Sequence, residues 1–378
     1  MKIGIVHSAY RDGPSSGENV SVQVQAEMLR DAGLDVVTIA ADGDVLRRQP
    51  LYNLRSAWRV ATKHGRHPLA EIKANDVDLV HIHNLFPNYG SAWTKYLSVP
   101  HVVTLHNFRS LCANGLFSRE NHDCFLCLEE SPLAGIRNAC YHNSKVRSVP
   151  LAIQSALGPQ RDPLYYKASA VIALSPSAAE IFAANGFDPG TLRIIPNAIS
   201  PAFESLRPTT ERNSRWLYVG RIAPEKGIHK LIADWPTSYA LDIVGGDFSE
   251  PFGVPRDNIR WLGRLDNDRI RESMALYEGL IFPSLCMEMQ PTVVLEAWSV
   301  GLPVVALSGN AGADLVRQHG GGVVYETREG LVSALEAVRE TREDLRKTAL
   351  SAYQNHFSPS RWVSRILDLY QECLKPPR

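Results

Sequence analysis

Short apolar runs, each closed by polar or turn-forming residues, recur along the whole chain. In the first half they fall at Lys2–His7, Asp35–Ala40, Leu79–His83, His101–His106, Ala170–Ser175 and Leu192–Pro196. In the second half they fall at Arg215–Gly220, Ala240–Val244, Ile259–Leu262, Gly279–Pro283, Pro303–Leu307 and Gly322–Tyr325. Runs of this length, rich in Val, Ile and Leu, predict buried strands. Between them apolar positions return every three or four residues. This predicts helices over Val20–Ala32, Leu51–His64, Leu151–Gly158 and Ala178–Asn185, and over Thr292–Val300 later on. Strands and helices therefore alternate twice over, as expected of an α/β protein built from two doubly wound parallel sheets. The pattern lapses between Asn197 and Ser214, the expected linker.

The densest chemistry lies in Phe282–Pro303, FPSLCMEMQPTVVLEAWSVGLP. Pro283 and Ser284 stop a buried strand, Pro291 suits a first helical turn, and Gly301 suits a helix end. Such a turn leaves backbone N–H groups and the positive end of a helix facing outward, a setting for an anion such as a diphosphate. Glu288 falls on the loop and Glu296 about one turn into the helix. Upstream, the strand Arg215–Gly220 runs into GRIAPEKG, Gly220–Gly227. Arg221 brings a planar fork of donors and Lys226 a mobile point charge, together able to neutralise two linked phosphates.

With these motifs in this order, followed by GLPVVA at Gly301–Ala306, the chain resembles the family-4 retaining glycosyltransferases over nearly its whole length. The resemblance implies a GT-B type fold, two Rossmann-like domains facing one cleft. An acceptor-side domain is expected over residues 1–200, with a Cys-rich insert at about 107–165. A nucleotide-sugar domain is expected over 212–358, and a last helix over 359–378 returning to the first domain. The implied reaction moves a sugar from a nucleotide diphosphate sugar, with retention, to a glycan, lipid-linked or small-molecule acceptor.

The resemblance also implies roles. Arg221, Lys226 and the start of the Thr292 helix would offset charge growing on the departing diphosphate. Glu296 would accept hydrogen bonds from ribose hydroxyls, and Glu288 would meet the sugar and the positive charge of an oxocarbenium-like state. His106, ending the run HVVTLH, would stand beside the donor sugar, with His83 behind it. Gly17, in the loop Ser15–Glu18, would let the backbone approach a phosphate or sugar closely. Gln290, Pro291 and Thr292 complete the expected donor site. Many relatives carry Gly-Phe-Gly after the equivalent of Glu288, where this chain has Met289–Gln290–Pro291, so donor choice is expected to be set there. Such a route needs no cofactor, since Arg221 and Lys226 carry the charge a divalent ion carries elsewhere. A nucleotide-sugar epimerase and a non-catalytic sugar-nucleotide scaffold are the alternatives on the same architecture.

At 378 residues the chain can hold two domains with separate cores. Lys plus Arg and Asp plus Glu each number 40, so no whole-molecule attraction to nucleic acid is implied. The N-terminus lacks an apolar signal core and no run reaches about 18 apolar residues, so a cytoplasmic protein is expected.

Cys112, Cys124, Cys127 and Cys140 lie in Cys-x11-Cys-x2-Cys-x12-Cys spacing. That arithmetic admits a structural zinc, an iron–sulfur centre, or thiols that are unliganded or disulfide-paired; zinc is the expectation. Over residues 47–73, Arg47, Arg48, Arg55, Arg59, Lys63, Arg66 and Lys73 accompany Leu51, Leu54, Trp58 and Val60, against only Glu71. This reads as a surface helix with its apolar face buried, or as a basic amphipathic helix touching the inner face of a membrane peripherally.

Overall fold

The computed structural model describes residues 1–9, 17–120, 122–199, 213–246 and 256–375, without the side chains of Asn267 and Asp268. The chain forms two compact units. One holds Met1–Arg119, Cys124–Ala198 and Trp362–Arg378, the other Glu120–Asp123 and Ile199–Arg361.

The first half contains β1 (Lys2–Ala9), β2 (Asp35–Asp42), β3 (Leu79–Asn84) and β4 (His101–Thr104). The two-residue strands β5 (Ser118–Arg119) and β6 (His122–Asp123) follow, then β7 (Ala170–Ala173) and β8 (Leu192–Ile194). Among the described residues, six strands pair in the order β2-β1-β3-β4-β7-β8, every pair parallel. Ile3, Ile5, Leu79 and Val80 are fully buried, as inner strands covered on both faces require. Helix Gly17–Asp31 returns from β1, three residues longer at its start than the apolar period predicts.

Helix Lys145–Leu157 also starts earlier than expected, ahead of Pro150. Ser144 caps it, its Oγ accepting from the Arg147 N–H at 3.3 Å. An interior proline costs one intrahelical hydrogen bond, here the one to the Val146 carbonyl, and the cap offsets that loss. The last helix, Pro359–Leu374, buries Trp362, Ile366, Leu369 and Tyr370. Its Tyr370 hydroxyl lies 2.6 Å from Nδ1 of the buried His81.

The second half contains β9 (Arg215–Val219), β10 (Ala240–Val244), β11 (Ile259–Gly263), β12 (Leu280–Phe282), β13 (Val304–Leu307) and β14 (Gly322–Tyr325). They pair in the order β11-β10-β9-β12-β13-β14, again parallel. Side chains alternate between two apolar layers. Leu280 and Phe282 enter one together with Trp298, while Ile281 enters the other with Trp216 and Trp235. Fully buried Asp242 ties three elements together. Its carboxylate accepts from Arg215 on β9, from Arg260 on β11 at 2.6 Å, and from the Tyr277 hydroxyl at 3.0 Å.

Strand order reverses between β9 and β12 in this sheet and between β1 and β3 in the first. Parallel sheets bind ligands beyond the carboxyl ends of their strands at such points. The loops that leave those strands are GRIAPEKG and Pro283–Gln290 in one unit, and in the other the segment after Asn84, with the segment after Thr104 on the next strand beside it.

Candidate active site

Topology explains why two motifs distant in sequence meet in the second unit. The Leu285 N–H donates to the Glu225 carbonyl at 2.9 Å, binding the loop after β12 to the loop after β9. Gly227 adopts φ +71°, and a Cβ there would lie 1.9 Å from the Pro283 carbonyl oxygen. No other residue type fits between the two loops. This contact brings Lys226 Nζ to 2.8 Å from Glu288 Oε1, while the Ser284 hydroxyl donates to the same oxygen at 2.7 Å. Burial works against the Lys226 ammonium, yet the Glu288 carboxylate holds its pKa above the usual lysine value. One ammonium hydrogen is committed to Glu288, leaving two to donate. The Arg221 Nη2 reaches Glu225 Oε1 at 3.0 Å, and this guanidinium is largely exposed.

Pro291 precedes helix Thr292–Ser299, whose first turn has no side-chain cap; the Val294 N–H there donates to the Pro291 carbonyl at 3.1 Å. Gln290 and Pro291 are buried and Thr292 is half-buried. Glu296 sits in the same helix, its carboxyl pKa raised by burial and eased back by Arg271. Sequence reasoning missed Ser284, Tyr218 and Asn310. The Tyr218 hydroxyl donates to the Arg221 carbonyl at 3.0 Å, and Asn310 Nδ2 donates to the Ser284 carbonyl at 2.9 Å. The signal for Asn310 was its place before a helix, where it also accepts from the Ala313 N–H.

The first unit gathers histidines at its strand ends. His106 Nε2 lies 3.0 Å from His83 Nδ1, so one ring donates to the other. His7 Nε2 pairs with Asn19 Oδ1 at 2.8 Å. Burial pushes the pKa of His106 down to about 3, helped by His7 and His81. His106 is therefore a neutral, directional hydrogen-bonding group rather than a cation. Glu18 stands nearby with Asn84, Asn107 and Arg109 as neighbours. Burial raises its carboxyl pKa to about 7 against the pull of those three. Beneath His106 a cavity of about 80 Å³ is lined by His83, Arg59, Lys63, Gln154, Asp162 and Tyr165, among others.

The sequence matches Glycosyltransferase Family 4 over residues 15–203 and the glycosyl transferases group 1 family over 213–341. The chain belongs to glycosyltransferase family 4. It is an enzyme that moves a sugar from a nucleotide diphosphate donor to an acceptor, and the epimerase and scaffold alternatives fall away. No curated protein matches it at sequence level. Solved structures share the whole fold. Sucrose-phosphate synthase of Thermosynechococcus elongatus is 18% identical, with 98% of each chain covered and a TM-score of 0.65. A glycosyltransferase of Rickettsia africae is 16% identical, covering 100% of this chain and 99% of its own, at 0.66. The HepE protein of Anabaena, solved with UDP, is 18% identical, covering 98% of this chain and 100% of its own, at 0.61. The two Rossmann-like sheets are those of a GT-B glycosyltransferase.

Two expectations change. Among the described residues, no three His, Cys, Asp or Glu side chains are placed to hold a metal ion, which overturns the structural zinc at Cys112, Cys124, Cys127 and Cys140. Cys112 is buried with its Sγ 3.0 Å from Asn114 Oδ1. Burial and the other three sulfurs push the Cys140 thiol up to about 11, so it stays protonated. Spacing alone cannot fix how four thiols face. Gly17 opens a helix instead of lying in a loop, and a Cβ there would meet nothing within 4 Å; Ser15 and Ser16 lie outside the described residues. The helix expected over Leu51–His64 spans Tyr52–Thr62, with Leu69–Ala74 a second short helix, and Lys63 turns inward to pair with buried Asp162 at 3.0 Å.

Proposed function

We propose that this glycosyltransferase retains anomeric configuration and holds its donor at the switch point of the second sheet. The observation that carries this reading is the half-buried Lys226–Glu288–Ser284 cluster at that point, beside the uncapped start of helix Thr292–Ser299. Lys226, Arg221 and the helix N–H groups would take the diphosphate, where preorganised positive charge lowers the barrier to its departure. Glu296 would meet the ribose. Glu288 would hold Lys226 in place and face the sugar, and neutral His106 would orient the sugar's hydroxyls. In the proposed step the acceptor oxygen bonds to the anomeric carbon as the bond to the diphosphate breaks. The acceptor proton passes to the leaving phosphate, so no protein base is consumed. Uridine diphosphate sugars are the first donors to test, since HepE was solved with UDP-glucose. The acceptor is a glycan, a lipid-linked molecule or a small molecule.

Peripheral membrane contact through residues 47–73 belongs to the same reading. No described helix is long and apolar enough to cross a membrane.

The test is a donor screen scored by nucleoside diphosphate release. In Lys226→Ala and in Arg221→Ala, kcat should fall by roughly 10²–10³ at saturating donor. Turnover near wild type in both would remove the phosphate-clamp assignment.

A further inference from the structure

In the first unit an apolar groove and a polar cavity share one side chain. Helix Tyr52–Thr62 turns Leu54 and Trp58 outward, 67% and 55% exposed, beside Leu51 at 65%. Its one fully buried residue is Ser56, the reverse of an ordinary surface helix. Helix Lys145–Leu157 packs against it and leaves Val146 and Ile153 of its own 80% and 42% exposed. Neither helix carries a carboxylate, whereas Arg55, Arg59, Lys145 and Arg147 lie on them. An apolar surface with only cationic side chains matches an anionic lipid surface. The core of a protein interface, by contrast, is depleted in charge.

Leu51, Leu54, Arg55, Trp58, Arg59 and Gly65 line an open groove in this surface. Arg59 also lines the cavity beneath His106. Inside that cavity Lys63 and Asp162 neutralise each other. Among the described residues the Arg59 guanidinium donates only to uncharged oxygens, Ser56 Oγ at 2.9 Å and the Pro87 carbonyl at 3.3 Å. His83, 4% exposed, has its Nε2 buried without a partner among the described residues. Arg59 thus stands between the apolar groove and uncommitted polar groups beside His106, and among the described residues no carboxylate neutralises it.

We infer that groove and cavity form one site for a membrane-held anionic amphiphile, the acceptor of the transfer. Its hydrocarbon chain lies along Leu51, Leu54 and Trp58, its phosphate meets Arg59, and its accepting hydroxyl points to His106. The inference rests on the sugar-transfer reading and narrows it to one acceptor class.

Trp58 is the most exposed of the seven tryptophans, so its emission reports the groove directly. Binding is measured by vesicle flotation and by the blue shift of that emission. The probes are phosphatidylcholine vesicles, the same vesicles containing phosphatidylglycerol, and soluble glycerol phosphate. The expected result is binding to the anionic vesicles alone, abolished in Leu54→Glu. It should weaken about tenfold in Arg59→Ala, the loss of one charge-assisted contact, but only about twofold in Arg55→Ala, a position that lines the groove without reaching the cavity. Arg59→Lys, which keeps the charge, should recover most of the affinity.

Equal binding to neutral and anionic vesicles, or binding that survives Leu54→Glu, would overturn the inference. So would glycerol phosphate competing as well as the lipid, since the anion alone would then suffice. Equal effects of the Arg55 and Arg59 variants would reduce the site to general surface attraction. A dimer dissociated by Leu54→Glu, with no vesicle binding, would make this face a protein interface. Calorimetry with uridine diphosphate on the same preparation separates the two readings: failure there removes the acceptor role while leaving the amphiphile site standing.

Discussion

Lys226 and Glu288 are four-fifths buried by side chain, at 21% and 17% exposure, and either alone would be costly in that position. Their pairing makes Glu288→Ala a poor probe, because it strands an ammonium. Glu288→Gln keeps the shape. It should lower turnover while sparing nucleoside diphosphate affinity, whereas Glu296→Ala should weaken that affinity. Calorimetry decides, and equal losses in the two variants would show the roles misassigned. Glu18 offers a test in pH. Its folded pKa of about 7 lies above the ordinary 4.5, so the native state binds the proton more tightly than the unfolded chain does. Its contribution is therefore favourable below about pH 4.5 and is lost as pH rises through 7, on the order of 3 kcal/mol in all. Glu18→Gln should melt above wild type at pH 8, with the gap closing towards pH 4.5. A constant gap, or wild type melting higher at pH 8, would show that Arg109 and the two asparagines outweigh burial.

The strands were legible because each apolar run is buried on both faces and needs no partner to declare itself. The loops were legible in composition and not in contact. GRIAPEKG and Pro283–Gln290 each announced themselves, but only the strand order places Gly227 against Pro283, and no local pattern encodes strand order. Gly227→Ala should therefore damage the site through geometry alone. Positive φ and the carbonyl clash together should cost about 1–3 kcal/mol and lower kcat/KM, with Lys226 and Glu288 still present. Denaturant melts alongside donor kinetics check this; unchanged kinetics would mean the loops can part without harm. The setting of helix Tyr52–Thr62 stayed open for a different reason. Periodicity reveals that a helix has an apolar face but not which way that face turns, and here Ser56 faces inward. The cysteines failed for a related reason, since spacing shows that four thiols can come near one another and not that they are placed to hold a metal.

At the scale of the molecule, the chain leaves the first unit near Ala198 and returns to it at Trp362. Four large side chains of the last helix and the hydroxyl of Tyr370 complete a core begun by β1. A chain ended after Ser358 should keep nucleoside diphosphate binding in the second unit. It should lose protection in the first, where His81 Nδ1 would be left without its buried partner. Hydrogen exchange across β3 and β4 measures it, and native protection there would show the last helix to be an ornament. This closure also orders events in time. Translation delivers the first unit, then spends on the order of 10–30 s on the second before the closing helix emerges. Through that interval the nascent chain holds an open sheet whose missing wall has not been made, while the second unit, nearly continuous in sequence, can finish first.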